Sequence, residues 1–214
     1  MKLAGALLAH FVVTIKISVK QAALATMIPA PMPKNEAERI ATLQRYAILD
    51  TEPERAFDRI TSIAVKLFNV PIALVSLVDA DRQWFKSSCG LGKTQTPRDL
   101  AFCSYTILSD DVLCVPDATR DKRFAKNPLV TGELGIRFYC GAPLVSPNGQ
   151  RLGSLCVIDQ KPRHNFSEEQ QALLTDLASL VVEQMEMRVA TGNVLTEIES
   201  RQEAEKRAAA TELQ

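Results

Sequence analysis

Five cysteines and two histidines carry most of the chemical reach of this 214-residue sequence. The cysteines stand at 89, 103, 114, 140 and 156, with no CxxC pair and no Cys/His cluster of zinc-binding spacing. An odd, scattered set reads as free thiols in a reducing compartment, which points to a cytoplasmic protein. His10 lies in an apolar run and His164 in a distant polar stretch, so they compose neither a metal site nor a Ser-His-Asp arrangement. Thiol catalysis needs a thiolate stabilised by positive charge and a second cysteine within disulfide reach. Cys89 and Cys103, which flank Lys93 and Arg98, are the pair that could meet that requirement. Read alone, Cys103 after Phe102 is a small buried residue, since free cysteine is among the most buried types. Cys140 and Cys156 occupy two apolar runs, "FYCGAPLV" and "RLGSLCVID", and read as packing residues that either face each other or lie on opposite sides.

Positioning these residues falls to a chain long enough for one ordinary domain with extensions. Lys and Arg number 25 against 25 Asp and Glu, so no net field draws nucleic acid, an acidic membrane or a polyanion. Nucleic acid is therefore not expected as a partner. Hydrophobic residues make up 46% of the chain, as in globular proteins. Three parts separate: an N-terminal extension (1–33), a domain (34–190) and a C-terminal helical extension (191–214). The first acidic residue is Glu36. The run Leu3 to Val13 is too short to span a bilayer. It reads as a signal-like segment ending near Ala23-Leu24-Ala25, as a disordered tail, or as sequence upstream of a start at Met27.

Within the domain, Asn35 with Glu38 predicts the start of an amphipathic helix, and Thr51 with Glu54 that of a second helix running to Asn69. "VPIALVSLVD", apolar on both faces, predicts a central strand, paired through an acidic turn with "QWFKSSC". "GLGKTQTPRDL" reads as a loop, "AFCSYTIL" as a short helix, "VLCVPD" as a short strand and "ATRDKRFAKNPLV" as irregular with one helical turn. Ser146-Pro147-Asn148-Gly149 predicts a hairpin turn, and Pro143 a bulge or an edge. Ser167 with Gln170 predicts the cap of a long helix whose apolar face, Leu173, Leu174, Leu177, Leu180, Val181 and Met185, meets the sheet. Val194, Leu195, Ile198 and Ala208 continue in rough heptad spacing, either as a dimer seam or as a solvated tail.

The blocks "ERIATLQRYAILDTEPERAFDRITSIAVKLFNVPIALVSLVDADRQWFKSSCGL", "TPRDLAFCSYTI", "VPDATRDKRFAKNPLVTG", "IRFYCGAPLVSPNGQRLGSLCVID" and "FSEEQQALLTDLASLV" resemble, in order, the GAF domain at the N-terminus of bacterial sensor histidine kinases and diguanylate cyclases. The resemblance covers about residues 36 to 190. It implies an α+β GAF fold: a six-stranded, mainly antiparallel sheet with helices on one face and a loop-walled pocket on the other. It also implies a sensory or regulatory module of signal transduction, such as two-component systems, that binds a small molecule and dimerises through its terminal helices. No kinase or cyclase motif follows residue 190, so a separate kinase or cyclase is the expected output partner.

On that reading the candidate pocket is built from Trp84, Phe102, Cys103, Phe124, Arg137, Phe138 and Tyr139, with Arg123 and Arg137 as anion partners. The ligand is left open. "DKRFAKNPL" lacks the Asp-Glu pair of cyclic-nucleotide relatives, Cys103 is followed by Ser104 rather than the His of bilin-binding relatives, and neither histidine is placed to ligate haem. No metal is expected. The alternative is a GAF-fold free methionine-R-sulfoxide reductase working through Cys89 and Cys103; a third reading is a sensor fragment that has lost its ligand. The regulatory reading is not enzymatic.

Overall fold

In the computed structural model, which describes residues 28–212 and the side chains of residues 28–203, the apolar run Ile72–Val78 forms β1, buried along its whole length. A strand that is apolar on both faces needs cover on both sides. Arg82–Cys89 (β2), Gln95–Pro97 (β3), Leu113–Val115 (β4), Phe138–Val145 (β5) and Arg151–Asp159 (β6) complete a sheet in the order β3-β2-β1-β6-β5-β4. Every neighbouring pair is antiparallel. Helices α1 (Glu36–Arg45), α2 (Arg55–Phe68) and α5 (Glu168–Glu212) contribute to a core on one face, with Leu43, Phe57, Ala64, Leu174 and Val181 packed against Val75, Phe138 and Leu155. The other face carries a second core roofed by loops that include two short helices, α3 (Cys103–Thr106) and α4 (Pro128–Thr131). This is the α+β fold expected, with six strands.

Several local expectations shift. The loop "GLGKTQTPRDL" contributes β3 and a 3-10 turn, Arg98–Leu100. Asn35 precedes α1 but does not cap it; its amide donates to Gln150 Oε1 at 2.6 Å. Thr51 does not cap α2, which begins after Glu54, because its hydroxyl donates to Ile48 O and accepts from Lys86 Nζ. Ser167 and Gln170 do form the expected reciprocal box, at 3.0 and 3.2 Å. On α5 the stripe that meets the sheet is Leu174, Ala178, Val181 and Met185, at helical spacing, and it excludes Leu173 and Leu180, which are exposed. Ile63 and Leu67 of α2 are exposed too.

The hairpin forms as its turn residues direct. Gly149 takes φ +79°, and its N–H donates to Ser146 O at 2.8 Å. β4 reaches only as far as Gly141 along β5, so Pro143 lies beyond its neighbour on that side. The register shift falls two residues further on, between Leu144 and Val145, which leaves Leu152 unpaired and turned to the helix face. Cys140 then faces the helices and Cys156 the loops, so the two lie on opposite sides. The signal-like run, His10 and Met27 lie outside the described residues, as does the side chain of Ala208.

Candidate functional site

Alternation along the central strands selects what the loop face offers. β1 contributes Leu74 and Ser76, β2 Gln83 and Phe85, β5 Tyr139, and β6 Ser154, Cys156 and Ile158. Between these strands and the roof lies a cavity of about 30 Å³, lined by Gln83, Phe85, Phe102, Cys103, Tyr139 and Cys156 and walled by Leu91, Lys93, Thr96, Leu129 and Leu134. That volume admits one molecule the size of water. The remaining space is taken by the protein's own aromatics: Phe102 stacks on Phe124 at 3.9 Å between ring centroids, and Tyr139 tilts against Phe102 at 5.1 Å.

The cavity floor is polar and sulfur-rich. Tyr139 Oη lies 2.6 Å from Thr106 Oγ1, donates to Cys103 Sγ at 3.3 Å, and approaches Ser154 Oγ at 3.4 Å. Gly141, on the same face of β5, makes this possible, since a Cβ there would collide with the Tyr139 phenol. Cys103 Sγ and Cys156 Sγ are 3.8 Å apart. Burial pushes the Cys103 thiol up, but hydrogen bonding with Cys156, Ser154 and Tyr139 outweighs it and lowers its pKa. Cys156, the other thiol of that pair and equally buried, is pushed up by its contact with Cys103 and by burial. In the walls, Gln83 Oε1 and Thr96 Oγ1 are buried with no hydrogen-bond partner, as is Ser76 Oγ. A buried polar atom without a partner forgoes about 1–3 kcal/mol.

Of the residues expected in the pocket, Phe102, Cys103 and Tyr139 line the cavity, and Phe124 backs Phe102. Arg137 lies in the roof, where it donates to Val130 O and Ile136 O at 2.9 and 3.1 Å. Arg123 is held by Asp121 at 2.6 Å and lies over the Phe124 ring. Trp84 and Phe138 belong to the opposite core, because each precedes a loop-face residue, Phe85 and Tyr139, and successive strand residues alternate. Gln83, Phe85 and Cys156 were missed, although the same alternation would have found them. The thiol beside Cys103 is Cys156 rather than Cys89, which ends β2.

A family model described as the GAF domain matches residues 52–185. The chain belongs to the GAF domain family. A cyclic di-GMP phosphodiesterase of Pseudomonas aeruginosa is 46% identical over 156 residues, which cover 73% of this chain and 27% of that protein. The chain thus spans about a quarter of that relative. Among solved structures, the GAF domain of an Acinetobacter phosphoenolpyruvate-protein phosphotransferase is similar, with a TM-score of 0.54, 18% identity and coverage of 73% of this chain and 98% of that one. A domain of a two-component sensor histidine kinase from Sinorhizobium meliloti is similar at a TM-score of 0.52, with 16% identity and coverage of 65% and 96%. The GAF domain is therefore related to signalling proteins.

The helix face of this GAF domain is tied directly to the long helix. Lys86 is buried there beside the register shift in β1–β2, and its Nζ donates to Thr51 Oγ1, Glu52 O and Glu54 Oε1 at 2.7–2.8 Å. Glu54 also accepts from Arg188 Nε at 2.9 Å, and Arg188 Nη1 donates to Tyr46 O and Ala47 O. Glu186 accepts from Tyr46 Oη. These bonds clamp α5 where it leaves the domain; a surface groove of about 340 Å³, lined by Arg45, Tyr46, Asn148 and Glu186, lies beside the clamp. Beyond it Val194, Leu195 and Ile198 are exposed. Among the described residues no helix is long and apolar enough to cross a membrane, and no cluster of His, Cys, Asp and Glu is arranged to hold a metal.

Proposed function

We propose that this GAF domain is a regulatory module of bacterial signal transduction. It dimerises through α5 and passes the state of its loop-face cavity along that helix to an output domain. The observation that carries the reading is a seven-residue repeat on α5: Leu173, Leu180, Met187 and Val194 are all exposed, at 43%, 48%, 61% and 58%. The intervening positions Leu177 and Ile198 are apolar, whereas Gln184 and Thr191 are polar. Repetition every seven residues over three heptads supports a coiled-coil seam over a solvated tail. The seam runs past the Arg188 clamp, so a change in how the domain holds α5 alters the seam's geometry. The module acts by binding and helix coupling, without turnover of its own, in the cytoplasm. The output lies in the same polypeptide or in a separate kinase, cyclase or phosphodiesterase; the 46% identical relative, named as a cyclic di-GMP phosphodiesterase, favours a cyclic-dinucleotide output.

Light scattering on the full chain tests this reading. At tens of micromolar the chain is expected to be dimeric, and Met187→Glu together with Val194→Glu should make it monomeric with an unchanged circular dichroism spectrum around the domain. A monomeric wild-type chain at that concentration would sink the proposal.

A further inference from the structure

Cys103 and Cys156 are 53 residues apart in sequence, yet their sulfurs meet at 3.8 Å on the cavity floor. Both are buried, at 1% and 0% exposure, and both line the cavity. A disulfide needs its sulfurs at about 2.0 Å, so side-chain rotation must close a gap of about 2 Å, and the cavity beside them leaves room for it. That space is also furnished for a small polar guest. Gln83 Oε1 and Thr96 Oγ1 wait there without partners, Gln83 itself being only 5% exposed, and a guest that donates two hydrogen bonds would satisfy both. Hydrogen peroxide is such a guest, and it is little larger than the water that the volume accommodates.

We propose that Cys103 and Cys156 form a peroxide-reactive site, in which hydrogen peroxide entering the cavity oxidises the two thiols to an intramolecular disulfide. Cys103 is the attacking residue, because Tyr139 Oη donates to its sulfur at 3.3 Å and stabilises negative charge there. Cys103 Sγ attacks one peroxide oxygen and the O–O bond breaks. The departing hydroxide takes the thiol proton and leaves as water, and Cys103 is left as a sulfenic acid. Cys156 Sγ then attacks Cys103 Sγ; the S–O bond breaks, and hydroxide leaves as a second water with the Cys156 proton. Two thiols have lost two electrons, and one peroxide has become two waters. The product staples α3 to β6 across the cavity floor, so oxidation and occupancy of the cavity compete for one space. The chemistry itself does not depend on dimerisation or on the identity of any ligand.

Cys114 and Cys140 supply the internal control. They are direct cross-strand neighbours on β4 and β5, but Cys140 packs in the helix-face core, outside the cavity. The full chain, reduced, freed of reductant and treated with sub-millimolar hydrogen peroxide, is alkylated under denaturing conditions and mapped by peptide mass spectrometry. The expected result is a fall from five alkylatable thiols to three, with a dithiothreitol-reversible cross-link between the Cys103 and Cys156 peptides. In Cys156→Ser the cross-link should vanish, and dimedone should trap a sulfenic acid on Cys103. Retention of all five thiols, or oxidation confined to Cys89, Cys114 or Cys140, would overturn the assignment. The wild-type map stands even if the variant folds poorly.

Discussion

The two faces of one sheet are finished differently. On the helix face the buried side chains pack into one core and its buried Lys and Ser are paired: Lys86 has three acceptors, and Ser87 Oγ donates to Asp58 and contacts Thr61 Oγ1 at 2.8 Å. On the loop face, residues of the same strands enclose an unfilled space and leave Ser76 Oγ, Gln83 Oε1 and Thr96 Oγ1 unpaired. Strands shared by both faces cannot differ in backbone stability, so the difference lies in the side chains selected at alternate positions. A face built only for stability would have had its orphaned polar atoms replaced by apolar ones. The helix face therefore holds the fold and grips α5, and the loop face is kept available for a guest.

The largest expected effect comes from packing. Leu155→Ala, at a fully buried helix-face position, removes side-chain contacts and leaves a cavity in the core, and should cost about 3–4 kcal/mol. Leu134→Ala, in the half-buried roof of the loop face, should cost roughly 1 kcal/mol, because less area is lost and a loop can settle. Urea denaturation of the two variants measures both; equal losses would remove the asymmetry between the faces.

A smaller effect probes the joint between the faces. Glu36, at the start of α1, accepts from Arg39 on its own helix and from Arg98, just before Phe102 of the loop face. Both arginines are buried, and they also clasp the β1–β2 turn through Val78 O, Asp79 O and Ala80 O. Burial would raise the Glu36 pKa, but the two guanidiniums overcome it and lower the value from 4.5 to about 2. A depressed carboxyl stabilises the fold fully above its unfolded value, and that contribution is lost as pH falls through about 4.5 toward 2. Glu36→Gln should cost about 2 kcal/mol at neutral pH, because it leaves two buried guanidiniums without their counter-charge. Its denaturation midpoint should also fall less steeply than wild type between about pH 5 and pH 3. Parallel pH profiles would mean that Glu36 does not couple the faces.

The sequence made the elements legible wherever a local signal was sufficient: the reciprocal box at Ser167 and Gln170, the Pro-Asn-Gly turn, and the doubly apolar β1. It misled where tertiary partners reassigned a polar side chain, as at Thr51, taken by Lys86, and Asn35, taken by Gln150. In the candidate site, choosing aromatics by type put Trp84 and Phe138 in a pocket they face away from, whereas alternation would have replaced Trp84 with Phe85 and kept only Tyr139 of the second pair. The thiol pair was beyond sequence reasoning, because Cys103 and Cys156 meet through the docking of α3 on β6, a contact that no spacing announces.

The smallest effect discriminates most finely, because it compares two polar residues of one strand. Ser87→Ala on the helix face breaks a buried network with Thr61 and Asp58 and should cost about 1 kcal/mol. Gln83→Leu on the loop face removes a carbonyl that has no partner and retains the shape, so stability should stay level or rise by up to about 1 kcal/mol. The same variant should slow the peroxide-driven loss of the Cys103 and Cys156 thiols, since the guest loses one of its two acceptors. Selection for stability alone would favour Leu at position 83. If Gln83→Leu instead destabilises the chain as much as Ser87→Ala does, the amide is structural, and the two faces are equally committed to holding the fold.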